Sequence, residues 1–236
     1  MDLLIKGSTE LNKMFAALQN TATGLRRDFG EVEDLQQSLR SARDFVAKAA
    51  NRIEESILND LLLVRPSAGL LTPDVSKPGD GRDEFVLALS GAANFVRGNP
   101  HFAISLALRT LGETKIALVY SPIEDRLYYA ESGKGAYVFS AYHSEKISVS
   151  NLVEHADLTV AYNTNSLRPV IEGVARETGC PALDLAWVAA GKFDAFVSDP
   201  LDFAEMAAGE LLVKEAGGKM ILDGVDVVAT NGKAEL

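Results

Sequence analysis

A change in the pattern of apolar and turn-forming residues along the chain is the feature that most constrains its fold. Between residues 85 and 139, short segments rich in aliphatic and aromatic residues are separated by turn-forming residues, which is typical of antiparallel strands. After residue 158, candidate strands alternate with candidate helices, which is typical of layered α/β structure. The sequence therefore predicts one unit, with a lobe of helices and antiparallel strands over about 1–150 and an α/β lobe over about 151–236.

The same pattern gives bounds for the individual segments. The antiparallel lobe is expected to hold strands at 85–89, 102–108, 115–120, 126–130 and 136–139. The α/β lobe is expected to hold strands at 158–162, 193–197 and 225–229, and helices at 168–178, 182–190 and 203–215.

The part of the chain before these strands is rich in helix-forming residues. Residues 11–39 predict two helical segments with a break at Asp28-Phe29-Gly30, because glycine is a poor helix former. Residues 52–64 predict a further helix that ends before Pro66. The segment 72–81 is dense in proline, glycine and aspartate, and it predicts an exposed loop.

The charge balance limits the classes of partner. The chain has 23 Lys+Arg against 33 Asp+Glu, a formal net charge of −10 at pH 7. Such a field repels nucleic-acid phosphates and anionic lipids, so we expect no direct nucleic-acid binding and no membrane association. The single cysteine cannot form an internal disulfide, and no Cys/His cluster has zinc-ligand spacing, so a cytoplasmic location is expected.

Four blocks of sequence occur in the order found in a known family: SGAANFVRGNPHFAISLAL (90–108), SPIEDRLYYAESGKGAYV (121–138), LDLAWVAAGKFDAF (183–196) and FAEMAAGELLVKEAGG (203–218). Over about residues 44–218 the chain resembles the inositol monophosphatase family of magnesium-dependent sugar-phosphate phosphatases. The resemblance implies an α/β (α+β layered) fold, the αβαβα sandwich of that family, and a homodimer. It also implies chemistry in which two or three carboxylate-held Mg²⁺ ions polarise the phosphate ester and activate water.

The positions that match the family's metal motifs have mostly lost their oxygen ligands. The family's Asp-Pro-Leu/Ile-Asp-Gly-Thr motif reads LALSGA here at 87–92, so both aspartates and the threonine are absent. A hard cation such as Mg²⁺ cannot use the methyl groups that replace them. No catalytic residue and no cofactor are therefore expected, and the vestigial positions are Ala50, Pro73, Leu87, Ser90 and Ala92.

Two matched positions keep a carboxylate, Asp74 and Glu205. Both are weak candidates for metal ligands; alternatively, Asp74 is a solvated turn residue and Glu205 is a first-turn glutamate stabilised by the helix dipole. Ser90, Gly91 and Ala92 open a helix in the family fold, so their backbone N–H groups are candidates for binding an anion. The simpler alternative is that Ser90 only caps that helix.

Three functions are compatible with this pattern. The favoured hypothesis is a catalytically impaired or inactive pseudophosphatase that binds a protein partner or a small anionic ligand. The alternative is a Mg-dependent phosphatase of inositol monophosphate or a related sugar phosphate, in which Asp74, Glu205, backbone carbonyls and the substrate phosphate rebuild a metal site. The third is a structural subunit of a homo-oligomer or of a complex with a catalytically intact relative.

Overall fold

The computed structural model describes residues 5–34, 39–164, 173–223 and 226–233. These ranges contain five α-helices and two β-sheets. The helices are α1 (Thr9–Asp34), α2 (Leu39–Val64), α3 (Ala92–Val96), α4 (Pro181–Ala189) and α5 (Phe203–Glu215).

The first sheet has eight strands in the order β2-β1-β3-β4-β5-β6-β7-β8. They are β1 (Gly69–Leu71), β2 (Ser76–Lys77), β3 (Asp83–Ser90), β4 (Ala103–Thr110), β5 (Glu113–Ser121), β6 (Arg126–Glu131), β7 (Gly135–Ser140) and β8 (His143–Ile147). The second sheet has the order β10-β9-β11-β13-β12. Its strands are β9 (Thr159–Asn163), β10 (Val174–Arg176), β11 (Ala195–Ser198), β12 (Lys219–Asp223) and β13 (Asp226–Thr230).

Both faces of the central strands of the first sheet are buried. Side chains alternate between the faces of a strand, so in β3 Phe85 and Leu87 pack with the apolar residues of α1 and α2. Val86 and Ala88 point the other way and pack with the residues of α4 and α5. Because α4 and α5 also contact strands of the second sheet, they lie between the two sheets. The expected layered α+β fold is thereby confirmed.

Small side chains let α4 and α5 approach each other and the first sheet closely. The sheet face toward them is rich in buried alanine, including Ala88, Ala103 and Ala117. On α5, a Cβ added at Gly209 would lie 2.4 Å from the Cδ1 atom of Leu185 on α4. This close packing holds the two helices against each other, and the candidate site lies at their first turns.

The expected break at Asp28-Phe29-Gly30 is wrong, because α1 runs through it. The Asp28 carboxylate accepts a hydrogen bond of 2.7 Å from Arg52 on α2, and the Phe29 ring lies 5.5 Å from that of Phe102. Such contacts offset the helix-propensity penalty of one glycine, about 1 kcal/mol. The helix expected at 52–64 ends at Val64 as predicted but begins earlier, at Leu39.

The five strands expected between residues 85 and 139 are confirmed as β3 to β7, but several others are not visible in the sequence pattern. β8 carries mostly exposed polar residues, and β1, β2 and β12 were not expected either. β10 lies inside the helix expected at 168–178, so that prediction is wrong at Val174–Arg176; residues 165–172 lie outside the described residues. β10 is exposed, and backbone pairing to β9 holds it in place. Its side chains therefore show no hydrophobic periodicity from which a strand could be predicted.

No helix among the described residues is both long enough and apolar enough to cross a bilayer. The cytoplasmic location and the division into lobes near residue 150 stay predictions.

Candidate functional site

Ser90 joins the end of β3 to the beginning of α4. Its side chain is fully buried, and its Oγ accepts a hydrogen bond of 3.2 Å from the backbone N–H of Ala182. The thiol of Cys180 also lies 3.5 Å from the Ser90 carbonyl oxygen. Ser90 therefore does not cap α3; the residue before that helix is Gly91, and no side chain caps it.

Gly91 occupies a position that requires glycine. Its φ is +81°, and an added Cβ would lie 3.0 Å from the His101 carbonyl oxygen and 3.1 Å from the Cα of Phe102. The chain before β4 thus passes against the start of α3. Asn94 fixes this arrangement, since its Nδ2 donates to the His101 carbonyl at 2.7 Å and to the Thr178 carbonyl at 2.8 Å.

A buried carboxylate lies behind this junction, on α4. Asp184 is fully buried, and the Thr178 hydroxyl donates to it, lying 2.7 and 2.8 Å from its two oxygens. Burial raises the pKa of Asp184 to about 7. Sequence reasoning missed this residue, although an aspartate inside the apolar run LDLAW was a usable signal.

Cys180 lies near two of the site's carboxylates. Burial raises the pKa of its thiol to about 12, and the nearby charges of Asp184 and Glu205 add to this shift. The thiol is therefore protonated at neutral pH and is not a nucleophile. Its packing as a buried, free cysteine at the start of α4 matches a structural role.

Glu205 lies in the first turn of α5, as the sequence indicates. The helix is capped by Asp202, whose carboxylate accepts a 2.8 Å hydrogen bond from the backbone N–H of Ala204. Burial, and then the charge of Asp202, raise the pKa of Glu205. Among the described residues, no lysine or arginine forms an ion pair with Glu205.

A second acidic group consists of Glu54 on α2 and Asp74 in the loop after β1. Asp74 is exposed in that loop, and its charge adds to the effect of burial in raising the pKa of Glu54. Glu54 lies four residues after Ala50, hence on the same side of α2. It lines a cavity of about 260 Å³ together with Leu70 and Lys77. Sequence reasoning missed Glu54 because it does not align with a family motif.

The other vestigial positions are distributed between core and surface. Leu87 is 1% exposed and packs in the core beneath α1 and α2, so apolar packing fills that position. Ala50 is partly buried, whereas Pro73 and Ala92 are exposed. Within the ranges that the structure describes, no group of three or more His, Cys, Asp or Glu side chains could hold a metal ion.

The donor chemistry therefore does not fit a centre of two or three Mg²⁺ ions. It does fit one ion, because Mg²⁺ can be bound by one or two carboxylates with water and substrate phosphate as the remaining ligands. Glu54 with Asp74, and Glu205, are the available carboxylates; Glu54 and Glu205 are partly desolvated and without an ion pair among the described residues.

Comparisons with known proteins agree with one another. The model of the inositol monophosphatase family matches residues 8–224. The inositol-1-monophosphatase of Rhizobium meliloti is 38% identical over 228 residues, covering 89% of this chain and 84% of the relative. That of Caulobacter vibrioides is 36% identical, covering 94% and 93%. The Nus factor SuhB of Escherichia coli K12 is 31% identical, covering 88% and 83%.

Solved structures show the same similarity in three dimensions. The extragenic suppressor protein suhB from Bartonella henselae superposes with a TM-score of 0.82 at 31% identity, covering 95% of this chain and 94% of that one. Mycobacterium tuberculosis SuhB superposes with a TM-score of 0.75 at 26% identity, covering 89% and 85%.

Proposed function

The chain belongs to the inositol monophosphatase family, and from this we propose that it is a phosphatase of inositol monophosphate or a related sugar phosphate. The observation that carries the proposal is the set of relatives named inositol-1-monophosphatase, which are 34% to 38% identical over 89% to 95% of the chain. These relatives contradict the expectation of an inactive pseudophosphatase. That expectation considered only the carboxylates at positions that match the family's metal motifs. It therefore omitted Glu54 and Asp184.

The substrate phosphate is proposed to lie at the start of α3. Ala92 and Ala93 are the first two residues of this helix, where backbone N–H groups have no intrahelical acceptor, and both residues are exposed. Gly91 lacks a side chain that would obstruct access to them. Of the three anion-binding candidates, Gly91 and Ala92 remain, whereas the Ser90 hydroxyl is buried and already bonded to Ala182.

One Mg²⁺ ion is proposed to be held by one or two of the carboxylates Asp74, Glu54 and Glu205, with water and the substrate phosphate as its remaining ligands. When bound, the ion would neutralise phosphate charge and make bound water more acidic. Burial disfavours the charged forms of Glu54 and Glu205, so a cation would stabilise them. Asp184 holds a proton below about pH 7, so it adds little negative charge to the site in that range.

Phosphate release from inositol monophosphate and from an aryl phosphate, with and without Mg²⁺, tests this function. We expect Mg²⁺-dependent release that is lost in the Asp74→Ala/Glu205→Ala double variant. The matched control is Glu210→Ala, which removes a carboxylate five residues further along α5 and should leave release unchanged. Background release by the wild-type chain, or release that survives in the double variant, would contradict the proposal.

Binding of a protein partner is a second candidate function, because relatives 30% to 31% identical are named Nus factor SuhB. Co-purification of a defined partner with both the wild-type chain and the Asp74→Ala/Glu205→Ala variant would separate this role from turnover. A homodimer is also proposed, and light scattering should then give twice the chain mass of 25.3 kDa. A monomer at micromolar concentration would contradict the dimer.

A further inference from the structure

A cavity of about 360 Å³ lies at the end of α4 remote from the candidate site. α4 packs on β3, β4 and β5, so it does not cover the same face of β7 and β8. The walls of the cavity come from β6, β7, β8 and the turn after α4. α4 has nine residues, or about 14 Å at 1.5 Å per residue, and this length separates the cavity from the junction at Ser90 and Cys180.

Two cationic side chains line this cavity, Lys192 and Arg126. The Lys192 ammonium donates a 3.0 Å hydrogen bond to the Tyr128 hydroxyl and forms no ion pair among the described residues. The Arg126 guanidinium lies 3.6 Å from the Glu124 carboxylate, which is too far for a hydrogen bond. An ammonium has three N–H donors and a guanidinium five, so most of these donors are available to a ligand.

The rest of the lining suits an anion with an apolar body. Val138 and Ile147 supply apolar wall, and Ser140 and Tyr128 each supply a hydroxyl. One carboxylate, Glu145, also lines the cavity, but its side chain is 70% exposed, so water and salt screen its charge. Lys192 is exposed as well, and Arg126 is ion-paired with Glu124, so Lys192 is the lining cation without a carboxylate partner among the described residues.

We propose that this cavity binds a small organic phosphate, with the phosphate dianion between Lys192 and Arg126 and its organic group against Val138 and Ile147. A phosphate offers three terminal oxygens to the donors of the two cations, whereas a carboxylate offers two. The cavity's volume is within the range of small-molecule sites, about 300–1,000 Å³. The site is separate from the proposed substrate site, and its existence does not depend on turnover.

Trp187 provides a built-in reporter of this site. It is the only tryptophan of the chain, and the Lys192 ammonium lies 5.0 Å from its ring centroid. A ligand that draws Lys192 toward a phosphate should change the fluorescence of Trp187. Phenylphosphonate is a suitable probe because its carbon–phosphorus bond resists hydrolysis, and calorimetric titration gives an independent affinity.

We expect a saturable fluorescence change and binding heat with phenylphosphonate in the Asp74→Ala/Glu205→Ala background. Lys192→Gln and Arg126→Gln should each weaken binding about tenfold or more, since each removes charge-assisted hydrogen bonds. Lys192→Arg keeps the charge and should keep binding, and Lys219→Gln, an exposed lysine elsewhere, should change nothing. Circular dichroism confirms that each variant is folded.

Three results would overturn the proposal. The first is the absence of saturable binding by the Asp74→Ala/Glu205→Ala chain. The second is an affinity that is unchanged in both Lys192→Gln and Arg126→Gln. The third is equal affinity for benzoate and phenylphosphonate, because a site for a dianion must prefer the dianion.

Discussion

The Ser90 hydroxyl accepts a hydrogen bond from the backbone N–H of Ala182, 92 positions later in the chain, at 3.2 Å. This bond connects the last residue of β3 to the first turn of α4, inside the buried interior. Ser90 matches the position at which the family motif has a ligand aspartate. The same position therefore supports structure here, and the carboxylates of Asp184 and Glu205 lie near enough to the adjoining Cys180 to raise the pKa of its thiol.

Ser90→Ala should lower the free energy of unfolding by about 1–3 kcal/mol, because the Ala182 N–H would lose its partner in a site without access to water. Urea unfolding followed by circular dichroism measures this. Ser140→Ala is the matched control, since Ser140 is a partly exposed residue at the end of another strand of the same sheet, and it should change stability by less than about 0.5 kcal/mol. Equal effects of the two substitutions would contradict the role assigned to the Ser90 bond.

Gly91→Ala should destabilise the protein more than Gly81→Ala does. Both glycines have nearly the same left-handed conformation, with φ of +81° and +80°. An added Cβ would meet the His101 carbonyl at 3.0 Å in the first case and nothing within 4 Å in the second. Backbone strain of about 1 kcal/mol is common to both variants, and overpacking adds about 1–3 kcal/mol at Gly91 alone. Urea unfolding of the two variants gives the difference directly; a difference near zero would show that the chain around His101 yields without penalty.

Asp184 should make stability depend on pH between about 4 and 7. Its pKa is about 7 in the folded protein and 3.8 as an ordinary aspartate, so the folded state binds the proton more tightly. The contribution of this group therefore favours folding most at low pH and declines as pH rises through this window. The free energy of unfolding of wild type minus that of Asp184→Asn should fall from pH 4 to pH 7. A difference that is flat, or that rises, would show that the carboxylate is not held in its neutral form.

The sequence predicts a helix or strand well where the apolar pattern and the capping residues indicate the same bounds. α5 begins after the capping Asp202 and ends at Glu215, before Gly217, as expected from the sequence. Edge strands such as β8 and β10 could not be predicted, because backbone pairing holds them and their side chains are mostly exposed. The continuity of α1 through Gly30 depends on contacts with α2 and with residues near α3 that are distant in sequence.

The candidate site was predictable only in part, for a similar reason. Family motifs locate Gly91, Ala92, Asp74 and Glu205, and the structure places Glu205 in the first turn of α5 as expected. The block 183–196 contains Asp184 but does not show that it is buried, and no motif contains Glu54; their environments come from Thr178 and from the loop after β1. Tertiary contacts, rather than residue type, determine which carboxylates are desolvated.

Glu54→Gln should weaken the response of phosphate release to Mg²⁺ more than Glu55→Gln does. Glu54 is partly buried and close enough to Asp74 for the two charges to interact, so a cation shared by them relieves both burial and repulsion. Both glutamates line the same cavity at adjacent positions of α2, and Glu55 is exposed, which makes it a matched control. The Mg²⁺ concentration that gives half-maximal release should rise about tenfold in Glu54→Gln, equivalent to about 1.4 kcal/mol of lost binding. Titration of release against Mg²⁺ measures it, and equal shifts in the two variants would remove Glu54 from the proposed metal site while leaving Asp74 and Glu205 to be tested on their own.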